Sequence, residues 1–210
     1  SESVFTPASL FEDPNDGTQG TLHLPSSTGG SNWEGAAYDP ETGLLYVPSR
    51  TATSVLSLTH EPDVSDVKYI QGGSRTPSVQ GIPLVKPPYG RITAIDMTTG
   101  EHVWQEVNGD TPEAIKNHPL LKGVDIGRTG KPTRSGLVLT KTLLFAGEGV
   151  GGDPILWAFD KATGAIAAKI GMPGVVTGVP MTYMYQGKQY LVMAISSRGE
   201  AARIIALTLP

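Results

Sequence analysis

The stretch GRITAIDMTTGEHVWQEV, residues 90–107, carries the pattern that decides the fold. Two runs of apolar or alternating residues flank a short polar segment that begins at Asp96 and ends at Gly100. The Asp can accept hydrogen bonds from backbone N–H groups further along the turn, and the Gly can adopt a positive φ. The stretch therefore predicts a β-hairpin whose turn is closed by its own side chain.

The same turn pattern occurs three times along the chain. Ala, a large side chain, Asp, two variable residues, Thr and Gly follow one another at residues 37–43, 94–100 and 158–164. The spacing between successive copies of this pattern is typical of a supersecondary unit. Two further hairpin patterns lie at residues 137–149 and 180–196. Because four short strands per unit are typical of a β-propeller blade, the chain is predicted to be all-β, a propeller segment of about three four-stranded antiparallel blades.

We expect the whole chain, residues 1–210, to form a single domain. Its predicted parts are a lead-in strand, a first blade, an excursion between blades, a second blade and a third, incomplete blade, at residues 1–30, 31–107, 108–135, 136–171 and 172–210. The strands expected at residues 17–27 and 202–210 have no hairpin partner in the pattern. So few blades cannot close a ring, and the strand edges must be covered by other chain, a second copy or a partner.

One short helix is predicted inside the excursion. Thr111 is placed as its N-cap, Pro112 lies in its first turn, and Pro119 is expected to end it.

Composition excludes several classes of function. The 16 Lys and Arg residues against 20 Asp and Glu give a net charge of -4 without a basic block, so a nucleic-acid partner is not expected. The chain has no cysteine, which excludes disulfides, thiolate metal sites and a Cys nucleophile within it. No apolar run of about 18 residues predicts a membrane span. The first residues lack the pattern of a secretion signal, so any such signal is expected upstream or removed.

Several motifs together resemble the C-terminal portion of the quinoprotein dehydrogenases that use pyrroloquinoline quinone (PQQ), with the glucose dehydrogenase branch most similar. They are GGSNWEGAAYDPETGLLYVP, the run GRITAID that leads to Trp104, the excursion NGDTPEAIKNHPLLKG, TKTLLFAGEG and PMTYMYQGKQYLVMA. The likeness covers residues 20–210 and keeps the motifs in the family's order. It implies an eight-bladed propeller, of which this chain would form the last part.

The resemblance also implies which residues contact the cofactor. A planar tricarboxylate quinone needs flat apolar walls against its ring and hydrogen-bond donors towards its oxygens. Asn32 matches the family's quinone-contacting Asn, Trp33 lies beside it, and Phe145 stands where many relatives place an aromatic side chain near the ring. Asp153 aligns with an Asp near the substrate end of glucose-oxidising relatives and is the expected substrate contact.

The implied function is oxidation of an aldose or alcohol by hydride transfer to PQQ, with Ca²⁺ or Mg²⁺ in the complete enzyme and a periplasmic or secreted location. The family's catalytic base and metal ligands lie in earlier blades, so this chain is expected to supply part of the cofactor pocket and neither catalytic nor metal-binding residues. Its partners would be a small-molecule alcohol or sugar and missing propeller blades from another chain or a second copy. The alternative is a non-catalytic propeller fragment, or a scaffold for protein contacts.

Five residues of the repeats have a structural interpretation instead. Asp39, Asp96 and Asp160 are expected to lock turns and to touch no substrate. Trp104 and Trp157 lie in the repeated strands and are expected to pack one blade against the next.

Overall fold

The computed structural model describes residues 5–11, 19–32, 34–73 and 75–209. In chain order the strands are β1 Ser9–Leu10, β2 Thr21–His23, β3 Ala37–Asp39, β4 Leu44–Arg50, β5 Ser54–Thr59, β6 Ile70–Gln71, β7 Ser78–Val79, β8 Ile82–Pro83, β9 Gly90–Asp96, β10 His102–Val107, β11 Leu137–Leu139, β12 Leu143–Gly147, β13 Ile155–Asp160, β14 Ile166–Gly171, β15 Val175–Val176, β16 Met181–Tyr185, β17 Lys188–Ser196 and β18 Arg203–Thr208. The α-helix α1 spans Glu113–Lys116, and a 3₁₀ turn spans Pro119–Leu121. The predicted all-β class is confirmed.

Two compact units make up the chain, one from Ser1–Gly30 and Thr51–Lys86, the other from Ser31–Arg50 and Pro87–Pro210. In the smaller unit β5 is central: β1 pairs with it in parallel, and β2 and β6 pair with it antiparallel. The strand expected at residues 17–27 is β2, which therefore has a partner. The assignment of the whole chain to one domain stays a prediction.

The described residues of the larger unit form three sheets. The first has the order β10-β9-β4-β3, and the second has the order β11-β12-β13-β14. In the third, β17 pairs with β15 and β16 along one edge and with β18 along the other. The strand expected to stand alone at residues 202–210 is β18, which is antiparallel to β17 over six residue pairs.

The three Asp-x-x-Thr-Gly turns are built alike. Asp96 Oδ1 accepts from Thr98 N at 2.7 Å, and Asp160 Oδ1 accepts from Ala162 N at 3.0 Å. In each turn the Gly amide returns to the Asp carbonyl, at 2.7 to 2.9 Å, and the Gly φ lies between 72° and 76°. The prediction that these carboxylates lock turns is confirmed.

The central strands of the second sheet, β12 and β13, are buried on both faces because they alternate apolar residues towards two neighbours. One face of the second sheet packs against the first sheet, through Leu144, Ala146, Trp157 and Phe159 on one side and Tyr46 and Ile92 on the other. The intervening residues Phe145, Leu156 and Ala158 pack against Met193 and Ile195 of the third.

Trp104 joins the first sheet to the second. Its Nε1 donates to the carbonyl of Lys161 at 3.1 Å, and the same oxygen accepts from the hydroxyl of Tyr46 at 3.0 Å. A Cβ on Gly164 would stand 2.7 Å from the indole ring, so the ring lies directly on this glycine. The packing role predicted for Trp104 is confirmed, and the burial of Trp157 in the same core confirms its role.

The helix begins one residue later than predicted. Its N-cap is Pro112, which makes no side-chain cap. The hydroxyl of Thr111 instead donates to Gly127 O at 3.1 Å and accepts from Thr129 N at 3.1 Å, so it ties the two arms of the excursion together. In the part of the chain that the structure describes, neither helix has the length and apolarity needed to cross a bilayer.

Candidate functional site

Three segments of the larger unit meet beyond the ends of the first and second sheets. We call their described residues, 31–32 with 34–36, 130–135 and 148–153, the loop cluster. Arg134 forms an antiparallel bridge with Val150. Gly149 sits so close to the carbonyl of Arg134 that a Cβ there would collide with it, and its φ is 78°. Glycine is therefore required where the segments cross.

A buried carboxylate lies at the centre of the loop cluster. Glu148 follows β12 and is fully buried. It accepts a hydrogen bond from Trp157 Nε1 at 3.0 Å and another from the backbone N of Asp153 at 2.8 Å. Lys131 Nζ lies 3.2 Å from Glu148 Oε2, the oxygen that accepts from Asp153 N, and it also pairs with the Asp153 carboxylate. The buried charge is thus fully compensated.

Lys131 remains charged in this setting. Burial lowers its pKa, but the hydrogen bond to Asp153 and the charge of Glu148 act in the opposite direction, and together they raise the pKa above its ordinary value. The Lys131 ammonium group therefore keeps its charge throughout the neutral range.

A cleft of about 980 Å³ opens beside Lys131. Its walls come from the excursion and from the loop between β12 and β13, including Asp125, Arg128, Thr133 and Asp153. The hydroxyl oxygen of Thr133 is buried and has no hydrogen-bond partner among the described residues. The cleft has the size of a small-molecule site and offers charged groups and a hydroxyl at its wall.

A second ionic group lies in the loop cluster close to Asn32. Arg134 Nε is 3.1 Å from Glu34 Oε1, and both side chains are partly buried. Arg50, at the end of β4, donates from Nη1 to the carbonyl of Pro132 at 3.4 Å.

The structure places three of the four residues predicted from the resemblance, and their surroundings differ. Asn32 is exposed in the loop cluster, where its carbonyl accepts from Gly35 N at 3.0 Å. Trp33 lies outside the described residues. Phe145 is 9% exposed in the core between the second and third sheets, which gives this aromatic a packing role. Asp153 lines the cleft. The cofactor and substrate contacts stay predictions.

Apart from Asp153, sequence reasoning missed the charged residues of the loop cluster. One local signal was present: Glu148 is an ionisable residue directly after an apolar strand in TKTLLFAGEG. The ion pairs of Lys131 with Glu148 and of Arg134 with Glu34 form only because the order of the strands brings distant segments together. The spacing of these residues in the sequence therefore does not predict the pairs.

The loop cluster fits part of a PQQ pocket and does not fit a metal site. PQQ carries carboxylates and carbonyl oxygens, for which the Asn32 amide and the guanidinium of Arg134 are suitable donors. Among the described residues, no three His, Cys, Asp or Glu side chains form a group that could hold a metal ion. No step of a reaction can be assigned to a metal held by these residues.

Comparison with known proteins identifies related sequences. The family model described as "PQQ: Glucose/ethanol/alcohol dehydrogenase, beta-propeller domain" matches residues 1–191. The chain is 31% identical to a probable quinate dehydrogenase (quinone) of Xanthomonas campestris pv. juglandis, over 92% of this chain and 28% of the relative. It is 27% identical to quinoprotein glucose dehydrogenase A of Acinetobacter calcoaceticus, over 94% of this chain and 25% of the relative.

Solved structures show the same fold. The quinohemoprotein alcohol dehydrogenase of Comamonas testosteroni superposes with a TM-score of 0.56 at 21% identity, covering 83% of this chain and 23% of that chain. The chain thus spans 23–28% of the length of these relatives.

Proposed function

Because this chain belongs to the glucose/ethanol/alcohol dehydrogenase β-propeller family of PQQ proteins, we propose that it is part of a PQQ-dependent dehydrogenase that oxidises the hydroxyl group of an aldose or alcohol. The match of the family model over residues 1–191 carries the proposal. The chain supplies part of the cofactor pocket, and the catalytic base and the Ca²⁺ or Mg²⁺ ligands belong to the rest of the complete enzyme.

The role proposed for Asn32 follows from its position. Its amide is exposed beside the ionic group of Glu34 and Arg134, where it can donate to an oxygen of the quinone. Trp33 is the proposed apolar contact of the ring, whereas Phe145, proposed as a second contact from the resemblance alone, packs between the second and third sheets. When bound, PQQ supplies the electron acceptor for the hydride.

Asp153 is the proposed substrate contact. Its carboxylate lines the cleft and is held by Lys131, and its backbone N is held by Glu148, so its position is fixed from two sides. A carboxylate fixed in this way can accept a hydrogen bond from a substrate hydroxyl without losing its own conformational freedom on binding.

The substrate class is proposed only as broadly as the relatives allow. Their names include quinate, glycerol and glucose dehydrogenases, so the glucose-like branch is one of several that the sequence supports. A periplasmic or secreted location and completion of the propeller by further blades belong to the same proposal.

The test is a titration of the purified chain with PQQ in the presence of Ca²⁺, followed by tryptophan fluorescence. We expect saturable quenching, and we expect Asn32→Ala to weaken the apparent affinity by about tenfold because a donor to the quinone is lost. Asn117→Ala is the matched control, since Asn117 is an exposed residue just after α1 whose amide donates to the Glu113 side chain at 2.7 Å.

Light scattering on the same samples shows whether binding accompanies assembly of copies. Absence of saturable quenching at any excess of PQQ contradicts the proposal and leaves the non-catalytic scaffold as the better description. Equal affinities of the Asn32 variant and the wild type would remove Asn32 from the pocket.

A further inference from the structure

The wall of the cleft beside Lys131 is rich in charged side chains. Within the part of the chain that the structure describes, they are the carboxylates Asp110, Glu113, Asp125 and Asp153 and the cations Lys116, Arg128 and Lys131. All of them border the same open space of about 980 Å³, which is large enough for a small molecule. The way in which these charges pair with one another therefore indicates which kind of ligand the cleft accepts.

Each of the three cations already has a carboxylate partner. The guanidinium of Arg128 also lies 4.8 Å from the ring of Trp157 and donates to two backbone carbonyls. An anionic ligand would have to compete with these partners for every cation of the wall, so the cleft does not favour an anion. The ion pairs are Lys131 with Asp153 and Glu148, Lys116 with Glu113, and Arg128 with Glu106.

Asp125 is the exception among the carboxylates of the wall. Asp110 pairs with Lys169, and the other two carboxylates pair with cations of the wall itself. Asp125 is exposed and makes no ion pair with any described residue. Its Oδ1 accepts a hydrogen bond from Gly127 N at 3.0 Å, which closes a local turn. One negative charge of the cleft wall is therefore left without a cation.

Apolar side chains stand on the same wall as this carboxylate. Val124, directly before Asp125, is 56% exposed, and Val150 in the loop between β12 and β13 is 57% exposed. Leu121 and Ile126 line the cleft as well. A ligand that covers these side chains gains the free energy of burying apolar surface.

We propose that the cleft binds a small organic cation, a protonated amine with an apolar body, whose charge is held by Asp125. An ammonium group has three N–H donors and no acceptor, which matches a wall whose unpaired polar atoms are oxygens. Besides the carboxylate of Asp125, the buried hydroxyl oxygen of Thr133 has no hydrogen-bond partner among the described residues. The cation site rests on these contacts, and only its overlap with the substrate site, through Asp153, rests on the proposed function.

The test compares cyclohexylamine with cyclohexanol by calorimetric titration of the purified chain. The two molecules share a six-carbon ring and differ in the charged amino group. We expect saturable binding of cyclohexylamine and binding of cyclohexanol that is weaker by about tenfold, because its hydrogen bond to the carboxylate lacks the ligand's charge. Methylamine keeps the charge without the ring and should bind more weakly than cyclohexylamine. Equal affinities of cyclohexylamine and cyclohexanol would refute the cation site.

Asp125→Asn should weaken cyclohexylamine binding by about tenfold, because the ion pair is lost. The substitution keeps the oxygen that accepts from Gly127 N, so the local turn is preserved. Asp96→Asn is the matched control: Asp96 Oδ1 accepts from Thr98 N in the same kind of turn, but Asp96 does not line the cleft. Equal losses in the two variants would show attraction to the net charge of the chain and overturn the assignment to Asp125.

The amine titrations contain no PQQ, so they separate the cation site from the proposed function. Amine binding that depends on Asp125, without quenching by PQQ, would refute the proposed function and support the cation site. Quenching by PQQ without amine binding would refute the cation site and leave the proposed function intact.

Discussion

Asp39 takes part in its own turn and in the packing of two sheets. Its carboxylate accepts from Thr42 Oγ1 at 2.7 Å within the turn and from Lys161 Nζ at 2.6 Å across to the second sheet. The hydrogen bond from Lys161, followed by that from Thr42, lowers the pKa of Asp39, and the bond to Asp39 raises the pKa of Lys161. The repeated turns are alike in sequence, but Asp96 has no such cation among its described contacts.

Asp39→Asn should therefore lower the free energy of unfolding by about 1.5–3 kcal/mol, because a buried charge-assisted bond is lost. Asp96→Asn, which removes a charge from an equivalent turn without a Lys partner, should cost less than about 1 kcal/mol. Urea unfolding at pH 7 measures both. Equal losses would show that the turn, and not the ion pair, accounts for the stability.

The pH dependence follows from the directions of the two shifts. The pKa of Asp39 is lower in the folded chain, so its contribution is complete above about pH 4 and is lost as the pH falls through the folded value. The pKa of Lys161 is raised, so its contribution is complete below about pH 10 and is lost as the pH rises. The difference in unfolding free energy between wild type and Asp39→Asn should stay constant between these limits and shrink towards pH 2.

At the scale of elements, packing of the first sheet on the second depends on a glycine. Gly164 has a φ of 76°, and the indole of Trp104 packs directly against it. Gly100 has the same φ, but a Cβ added there would have no atom within 4 Å. The two glycines have the same backbone requirement and different surroundings, so they separate the effect of the backbone from that of packing.

Gly100→Ala should cost about 1–2 kcal/mol, which is the penalty for a left-handed conformation. Gly164→Ala should cost about 1–3 kcal/mol more, because the methyl group displaces Trp104. Chemical unfolding monitored by tryptophan fluorescence measures the difference. Identical values for the two variants would contradict the close packing of Trp104 on Gly164.

The excursion is attached to the second sheet through Lys131. Lys131→Met should lower the free energy of unfolding by about 3–5 kcal/mol, because Glu148 is left buried without its cation. Asp153→Asn removes the half-exposed partner, with 52% of its side chain accessible, and should cost about 0–1 kcal/mol. Thermal unfolding of both variants tests this order, and a larger loss for the Asp153 variant would contradict it.

The sequence allowed prediction of elements more fully than of sites. Turn positions, hairpins and the tryptophan packing follow from local patterns, since Asp, Thr and Gly act within five residues of one another. The prediction that Thr111 caps the helix was wrong, because its hydroxyl forms hydrogen bonds across the excursion with Gly127 and Thr129. No local sequence pattern indicates these contacts. Lys131 with Glu148, and Arg134 with Glu34, were missed for the same reason.

At the scale of the whole molecule, the third sheet presents an uncovered edge in the part of the chain that the structure describes. There β18 pairs with β17 alone, and its Ile204 is 78% exposed. Apolar side chains on β16 are exposed as well, with Met184 at 65%. An exposed apolar strand edge favours pairing with another chain or another copy.

Ile204→Lys should reduce concentration-dependent association of the purified chain, because a charge on an exposed strand discourages edge pairing. Light scattering across a dilution series measures the effect. Met97→Lys, at an exposed position of the Asp96 turn, is the control. A chain that stays monomeric at high concentration, with or without the substitution, would argue against completion of the propeller by a second copy.

The shared carbonyl of Lys161 has a spectroscopic consequence. Because it accepts the Trp104 indole proton at the junction of two sheets, that proton should give a shifted, slowly exchanging resonance while the sheets are packed together. The Trp157 indole proton, bonded to buried Glu148, should report separately on the attachment of the excursion. Nuclear magnetic resonance of two indole protons can thus follow loosening of the sheet junction and of the excursion as independent events.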